Sequence, residues 1–389
     1  MANGLRATSE SMVGATLSAR YRLLRLVGEG GVGAVFEAHD LMGSTKCALK
    51  LLRPEYAAEG RVVAQLFAEA LKAARLAHPN IARCFGHAPA DEPIPYVVSE
   101  LVEGASVASY LRPGLAYETP QAIPIARGLL AAISEAHRQG IVHGDLKPEN
   151  VFLIPRPDGP PTVKVTDFGM AKVMEAAGGM MTRTRSGAFL GSPGYMSPEQ
   201  VRGAREVGPS SDLWSITILL YQLLTGREPF PAPTDAAKLT LILSTDAAPI
   251  DQGKPHLSAW RGLFVRGLAR DPAERFGSAE EMEAAMLEAA SIPVKKSLGV
   301  SATDMSPQLA PAVAVGRPSG HAQVEVVRTP RPPPPPPPEG VPATDSTLRA
   351  GQVPMMLPKG TRVPLWLTVV IALLCLAGGF VAGYFVAQM

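Results

Sequence analysis

The sequence predicts an α+β fold in which strands come first and helices follow. Up to about residue 100, short apolar runs alternate with turns in the way that strands do, at residues 21–27, 34–39, 47–51 and 96–98. After residue 118, longer apolar patterns predict helices, of which the main ones are 119–140, 212–224 and 278–290. The chain then changes character, because proline-rich and uncharged stretches follow.

The composition argues against a nucleic-acid partner and against a disulfide-bonded secreted protein. The chain has 389 residues, 46% of them hydrophobic, and a formal net charge of only +2. Its three cysteines, Cys47, Cys84 and Cys375, form no C-x-x-C pair, which is typical of reduced thiols. The N-terminal residues contain no continuous apolar run typical of a cleaved signal peptide. We therefore expect the folded part to lie in a reducing compartment.

A glycine-rich segment separates the first two predicted strands. Gly28, Gly30 and Gly33 follow the pattern G-x-G-x-x-G. A helix follows these glycines in a dinucleotide-binding fingerprint, whereas here another strand-like run follows, so the segment is predicted to be a hairpin. Its bare backbone can approach phosphate oxygens and donate N–H groups to them, and Val35 would cover a flat base. Taken alone, the motif is equally typical of a plain glycine hairpin.

The predicted strand at 47–51 contains Lys50, which is costly to bury unless it is paired. Glu69, on the next predicted helix at 60–76, is the proposed partner, and the alternative is a solvated helix acid. The apolar face of that helix is predicted to consist of Val63, Leu66, Phe67, Ala70 and Leu71.

The segment from residue 143 to residue 150 combines three side chains suited to phosphoryl transfer. Asp145 can orient a hydroxyl group and accept its proton. Lys147 can neutralise charge on the moving phosphoryl group, and Asn150 can help to bind Mg²⁺. A further acid, Asp167, follows a strand-like run and suits a hard cation such as Mg²⁺.

In their order along the chain, these motifs resemble those of the eukaryotic-like protein kinases, including the membrane-bound kinases of bacteria. The resemblance covers residues 21–290. It implies a two-lobe fold, with a small β-rich lobe over 21–98, a hinge over 99–104 and a large helical lobe over 105–290. It also implies ATP and Mg²⁺ as cofactors, and transfer of the γ-phosphoryl group to Ser or Thr of protein substrates.

The resemblance also assigns roles to residues. The catalytic set is Asp145, Lys147, Lys50 and Glu69, and the metal ligands are Asn150 and Asp167. The expected nucleotide contacts are Gly28, Gly30, Gly33, Val35, Ala48, Lys50, Glu100, Val102 and Phe152. Ser99 falls at the gatekeeper position between lobes, where a small side chain predicts an open back pocket.

Three further residues are implied to be structural. His143 is expected to pack behind the catalytic loop, and Asp212 to bind the backbone of that loop. Arg275 is expected to pair with Glu199.

One position departs from the family pattern, because Gly144 stands where many kinases have arginine. That arginine pairs with a phosphate on the activation loop. Residues 170–190 are expected to form this mobile loop, with Thr182, Thr184 and Ser186 as candidate autophosphorylation sites. Gly144 cannot form this pair, although Lys172 matches a second basic position that does so in some members of the family. Activity is therefore predicted to depend weakly on loop phosphorylation.

The ends of the chain are predicted to lie outside the folded domain. Residues 1–20 form a flexible lead-in, and residues 291–364 form a disordered linker with a polyproline rod at 332–338. Residues 365–387 carry no charge and are long enough to span a hydrocarbon core of ~30 Å.

The sequence also predicts how the uncharged segment is oriented in the membrane and what it could pair with. Lys359 and Arg362 precede the uncharged segment and no charged side chain follows it, which indicates a single-pass protein of the cell membrane with a cytoplasmic kinase domain. Gly379 and Gly383 could bring two such helices together in a homodimer. Two alternatives remain, a pseudokinase that binds nucleotide without transfer and a membrane-tethered scaffold.

Overall fold

The computed structural model describes residues 9–178, 192–203 and 207–291. The candidate sites Thr182, Thr184 and Ser186 lie outside these residues, as do the predicted linker beyond 291 and the uncharged segment at 365–387. Within the described ranges, no helix combines the length and the apolar character needed to cross a bilayer.

The first lobe is rich in β-strands, as predicted, and is built on a six-stranded antiparallel sheet. Its strands are β1 (Thr16–Leu17), β2 (Tyr21–Glu29), β3 (Gly33–Asp40), β4 (Thr45–Leu52), β5 (Cys84–His87) and β6 (Tyr96–Glu100). Their order across the sheet is β1-β2-β3-β4-β6-β5. The register pairs Val35 with Lys50, so β3 and β4 set the glycine-rich turn beside the lysine.

β1 lies within the lead-in that was predicted to be flexible, so that prediction is wrong for these residues. Thr16 pairs with Arg22 of β2, and Leu17 is buried in the core of the sheet lobe. Burial of one leucine side chain is enough to favour a fixed position for this short strand.

Two helices follow β4, namely α1 (Pro54–Ala57) and α2 (Gly60–Ala73). The buried face of α2 consists of Val62, Leu66, Glu69 and Ala70. The predicted face was therefore displaced by about one residue, and Leu71, which was assigned to it, is 59% exposed. Neighbouring positions differ by about 100° around a helix, so an apolar pattern locates the buried face only to within about one residue.

The second lobe is mainly helical. Its helices are α3 (Thr119–Arg138), α4 (Met170–Ala176), α5 (Pro198–Val201), α6 (Pro209–Thr225), α7 (Asp235–Ser244), α8 (Arg261–Gly267) and α9 (Ala279–Ser291). A small sheet of β7 (Ala105–Ser106), β8 (Val151–Ile154) and β9 (Thr162–Val165) lies in the order β7-β8-β9. α6 matches the helix predicted at 212–224 and is buried on almost every side.

α3 begins at Thr119, where the sequence predicts the helix to start. Glu118 is its N-cap and forms a capping box with Gln121. Pro124 lies inside the helix without ending it. A proline this near the N-terminus removes one backbone hydrogen bond, and the buried neighbours Ile125 and Ala126 offset that loss by packing.

Candidate active site between the sheet lobe and the helical lobe

The segment that joins α3 to β8 brings the predicted catalytic groups together. The Lys147 ammonium group donates to Oδ2 of Asp145 over 2.7 Å. Nδ2 of Asn150 donates to the backbone carbonyl of Asp145 over 2.9 Å. Asp145 is therefore oriented through both its side chain and its backbone. Burial would lower the pKa of Lys147, but the Asp145 carboxylate outweighs it and the pKa is raised, so the ammonium stays charged.

Asp212 of α6 fixes the start of this segment by binding its backbone. Asp212 accepts hydrogen bonds from the backbone N–H of His143 at 2.9 Å and of Gly144 at 2.8 Å. The predicted contact of Asp212 with the loop backbone is confirmed. His143 is fully buried, and its Nε2 lies 2.9 Å from the carbonyl of Thr166, as expected of a structural histidine.

Gly144 has a physical reason to lack a side chain in this structure. Its φ is +71°, in the left-handed region that disfavours other residues. A Cβ atom at this position would lie 2.7 Å from the Cβ of Ala171 on α4. The glycine therefore permits close packing of α4 against the catalytic loop.

The second predicted metal ligand, Asp167, lies two residues after β9. Its φ is +65°, which is rare for a residue with a side chain. Its Oδ2 lies 3.0 Å from the Lys50 ammonium group. Burial would raise the pKa of Asp167, but the charge and hydrogen bond of Lys50 outweigh it and the pKa is lowered, so the carboxylate remains ionised.

A cavity of about 400 Å³ lies between the lobes, and every predicted site residue borders it except Glu69. These residues are Gly28, Gly30, Gly33, Val35, Ala48, Lys50, Glu100, Val102, Asp145, Lys147, Asn150, Phe152 and Asp167. Val35, Ala48 and Phe152 are apolar, whereas Lys50, Asp145, Lys147, Asn150 and Asp167 bring charges and an amide to the same cavity. The cavity can therefore accept both a flat apolar group and phosphate oxygens with a cation.

The three glycines of the β2–β3 turn have different reasons to be glycine. Added Cβ atoms at Gly28 and Gly30 would meet no atom closer than 3.8 Å. These two positions leave space for a ligand to approach the backbone. At Gly33, a Cβ would lie 2.1 Å from the Leu51 carbonyl oxygen, so this glycine is required by the packing of β3 on β4.

The comparisons with known proteins agree with this geometry. The Protein kinase domain model matches residues 21–286. The chain belongs to the protein kinase family.

The kinase domain is similar to bacterial relatives along most of its length. Serine/threonine-protein kinase pkn3 of Myxococcus xanthus is 36% identical over 279 residues, covering 71% of this chain and 51% of that protein. Serine/threonine-protein kinase PrkC of Bacillus subtilis is 33% identical over 274 residues, covering 70% and 41%. The chain thus spans about half or less of the length of these relatives. The crystal structure of the Mycobacterium tuberculosis PknI kinase domain matches with a TM-score of 0.55 and 25% identity, covering 71% of this chain and 98% of that one.

The predicted pair between Lys50 and Glu69 is not formed, although both residues are described. Oε1 of Glu69 instead accepts hydrogen bonds from Lys72 at 2.7 Å and from Gln65 at 2.8 Å, while Lys50 pairs with Asp167. A Cβ at Gly169 would lie 2.8 Å from the Cβ of Glu69, so the start of α4 packs directly against the turn of α2 that carries Glu69. Glu69 is therefore turned to partners on its own helix.

α4 was not predicted from the sequence, and it falls in the first part of the predicted mobile loop. Met170, Val173 and Met174 are buried in one apolar cluster with Val32, Leu52, Val62 and Leu66. Met170 and Met174 also border the large cavity. The only sequence signal was the spacing of these three apolar residues, which is too short a pattern to separate a helix from a loop.

Ser99 borders both the large cavity and a second cavity of about 50 Å³. Cys84 and Phe168 also border the second cavity. Space therefore exists behind the small gatekeeper side chain.

The predicted pair between Glu199 and Arg275 is confirmed. The guanidinium group donates from Nη1 and Nη2 to the two carboxylate oxygens, each over 2.8 Å. Burial would raise the pKa of Glu199, but the hydrogen bonds of Arg275 and Ser211 lower it to about 2. This pair fixes the segment at Ser197 and α5 to the core of the helical lobe.

Proposed function

We propose that the chain transfers the γ-phosphoryl group of ATP to Ser or Thr hydroxyl groups of proteins, including its own activation loop. The observation that carries the proposal is the cavity that collects the predicted nucleotide, metal and catalytic residues. The names of the bacterial relatives support Ser and Thr as acceptors.

The side chains of the cavity fit ATP and Mg²⁺. The open backbone at Gly28 and Gly30 can donate N–H groups to phosphate oxygens. Asp167 and Asn150 supply the carboxylate and amide oxygens that Mg²⁺ prefers. Bound Mg²⁺ would neutralise charge on the β- and γ-phosphates.

Asp145 would orient the acceptor hydroxyl group and take its proton. Lys147, bonded to Asp145, would lie beside the charge that develops on the transferred group. The hydrogen bond from Asn150 to the Asp145 carbonyl would fix the backbone on which the carboxylate is carried.

A second candidate is a pseudokinase that binds nucleotide without transfer. It is favoured by one observation, the pairing of Lys50 with Asp167 while Glu69 pairs with Lys72. The two candidates are distinguished by incubating the full chain with γ-labelled ATP and Mg²⁺ and mapping the labelled residues. Label on Ser or Thr supports the kinase, label on Tyr alone contradicts the acceptor class, and nucleotide binding without any label supports the pseudokinase.

We further propose that residues 365–387 anchor the protein in the cell membrane with the kinase domain in the cytoplasm. The proposal rests on the length of the uncharged segment and on Lys359 and Arg362 before it. Membrane fractionation of cells that express the full chain, with protease protection of the kinase domain, tests it. A domain digested from the outer side of intact cells would contradict the orientation. Recovery of the full chain from the supernatant would contradict the anchor.

A further inference from the structure

The side chain of Gln200 joins the segment after the activation loop to the catalytic loop. Oε1 of Gln200 accepts from the backbone N–H of Ser197 at 2.9 Å and from the Ser197 hydroxyl at 3.1 Å. Nε2 of the same amide donates to the backbone carbonyl of Gly144 over 2.5 Å. One amide thus caps α5 with its oxygen and reaches the residue before Asp145 with its nitrogen.

The surroundings of this amide fix its position. Gln200 is 6% exposed and Ser197 is fully buried. Glu199, between them, is tied to Arg275 by two hydrogen bonds and accepts another from Ser211 of α6. Gln200 therefore projects from a rigid backbone.

Gly144 is bound from two sides. Its N–H donates to Asp212 of α6, and its carbonyl accepts from Gln200 of α5. Because Gly144 has no side chain, its backbone groups are the means by which the lobe can orient the peptide that leads to Asp145.

We propose that Gln200 is a positioning residue for the phosphoryl transfer, which couples the Ser197–Gln200 turn to the catalytic aspartate through the carbonyl of Gly144. The inference rests on the proposed kinase function. It requires a glutamine in particular, because a glutamate could cap α5 equally well but could not donate to the Gly144 carbonyl when ionised.

Two substitutions separate capping from positioning. Gln200→Glu retains the acceptor for Ser197 and removes the donor to Gly144, whereas Gln200→Met removes both. The matched controls are Gln121→Glu and Gln121→Met. Gln121 completes the capping box of α3 by accepting from the backbone N–H of Glu118, far along the chain from the catalytic loop.

The test uses the full chain with dephosphorylated casein as acceptor and measures kcat and the KM for ATP. We expect both Gln200 variants to lose kcat by about 10- to 100-fold with the KM for ATP within about twofold of the wild type. Amide hydrogen exchange at residues 143–147 should become faster in both, while exchange in α6 should not change. Both Gln121 variants should retain kcat.

Three results would overturn the inference. The first is a kcat within twofold of wild type in Gln200→Glu, the second is an equal loss in the Gln121 variants, and the third is unchanged exchange at 143–147. If Gln200→Met does not fold, Gln200→Glu decides, because it keeps the cap. An inactive wild-type chain would instead contradict the proposed function itself.

Discussion

The ammonium group of Lys72 lies 2.7 Å from Oε1 of Glu69, three residues earlier on α2, and the Lys50 ammonium group pairs with Asp167 instead. Lys72 is 44% exposed, whereas Glu69 is buried. The cation that neutralises the buried carboxylate thus comes from the surface of the same helix. We therefore expect Lys72 to compete with Lys50 for Glu69.

Removing that competitor should favour the Lys50–Glu69 pair. We expect Lys72→Met to raise the rate of phosphoryl transfer by about twofold, because an i,i+3 ion pair on a helix contributes roughly 0.2–0.5 kcal/mol. Steady-state assays of the full chain measure the effect. Lys46→Met is the control, since Lys46 is also exposed and pairs with Glu37, at the far end of β4 from Lys50. A lower rate in Lys72→Met than in Lys46→Met would contradict the competition.

A side chain at position 144 should destabilise the kinase domain for two separable reasons. Gly144 and Gly140 have similar φ values of +71° and +69°. At Gly140 an added Cβ meets nothing within 4 Å, whereas at Gly144 it meets Ala171 at 2.7 Å. We expect Gly140→Ala to cost about 1 kcal/mol of unfolding free energy through the backbone alone, and Gly144→Ala to cost more. Equal losses in urea unfolding would show that α4 does not pack against position 144.

The Glu199–Arg275 pair should make stability depend on pH. The pKa of Glu199 is about 2 in the fold, against an ordinary 4.5. A lowered folded-state pKa gives stability that is fully present above the unfolded-state pKa and is lost as the pH falls through the folded-state value. The part of the unfolding free energy that depends on pH through Glu199 is about 3 kcal/mol, from roughly 1.4 kcal/mol per pKa unit.

Glu199→Gln tests this dependence. The difference in unfolding free energy between wild type and Glu199→Gln should be constant from pH 7 to pH 5 and should shrink between pH 4.5 and pH 2. Glu281→Gln, which removes a half-exposed partner of Arg266, is the control and should cost little at any pH. A difference for Glu199→Gln that does not change with pH would be inconsistent with the lowered pKa.

The space behind Ser99 should admit ATP analogues with a bulky N6 substituent. The second cavity already measures about 50 Å³ and shares Ser99 with the larger one. We expect the wild type to use such an analogue better than Ser99→Met, because the longer side chain would fill the cavity. The ratio of kcat/KM for the analogue to that for ATP is the measurement, with Ser106→Met as a control for surface changes. An unchanged ratio in Ser99→Met would contradict the open back pocket.

The catalytic loop could be predicted from sequence because its chemistry is local. Asp145, Lys147 and Asn150 lie within six residues, so their contacts follow from one short turn before β8. Four of the six strands of the first lobe, β2, β3, β4 and β6, were also predictable, since apolar runs and glycine turns mark them.

The pairing of Glu69 could not be predicted from sequence. Which lysine reaches Glu69 depends on the packing of Gly169 and α4 against α2, and this is a tertiary relationship. Gln200 was missed for a similar reason, because its partner Gly144 lies 56 positions away in sequence. No periodicity connects two such residues.

In the proposed reaction, Asp145 accepts the proton of the hydroxyl group that is phosphorylated. The most direct measurement compares the transfer of labelled phosphate from ATP by the full chain and by Asp145→Asn, with nucleotide binding recorded for both. We expect Asp145→Asn to bind nucleotide as the wild type does and to lose roughly 10²–10⁴-fold in the transfer rate. A transfer rate within a few-fold of the wild type would contradict this account of the site.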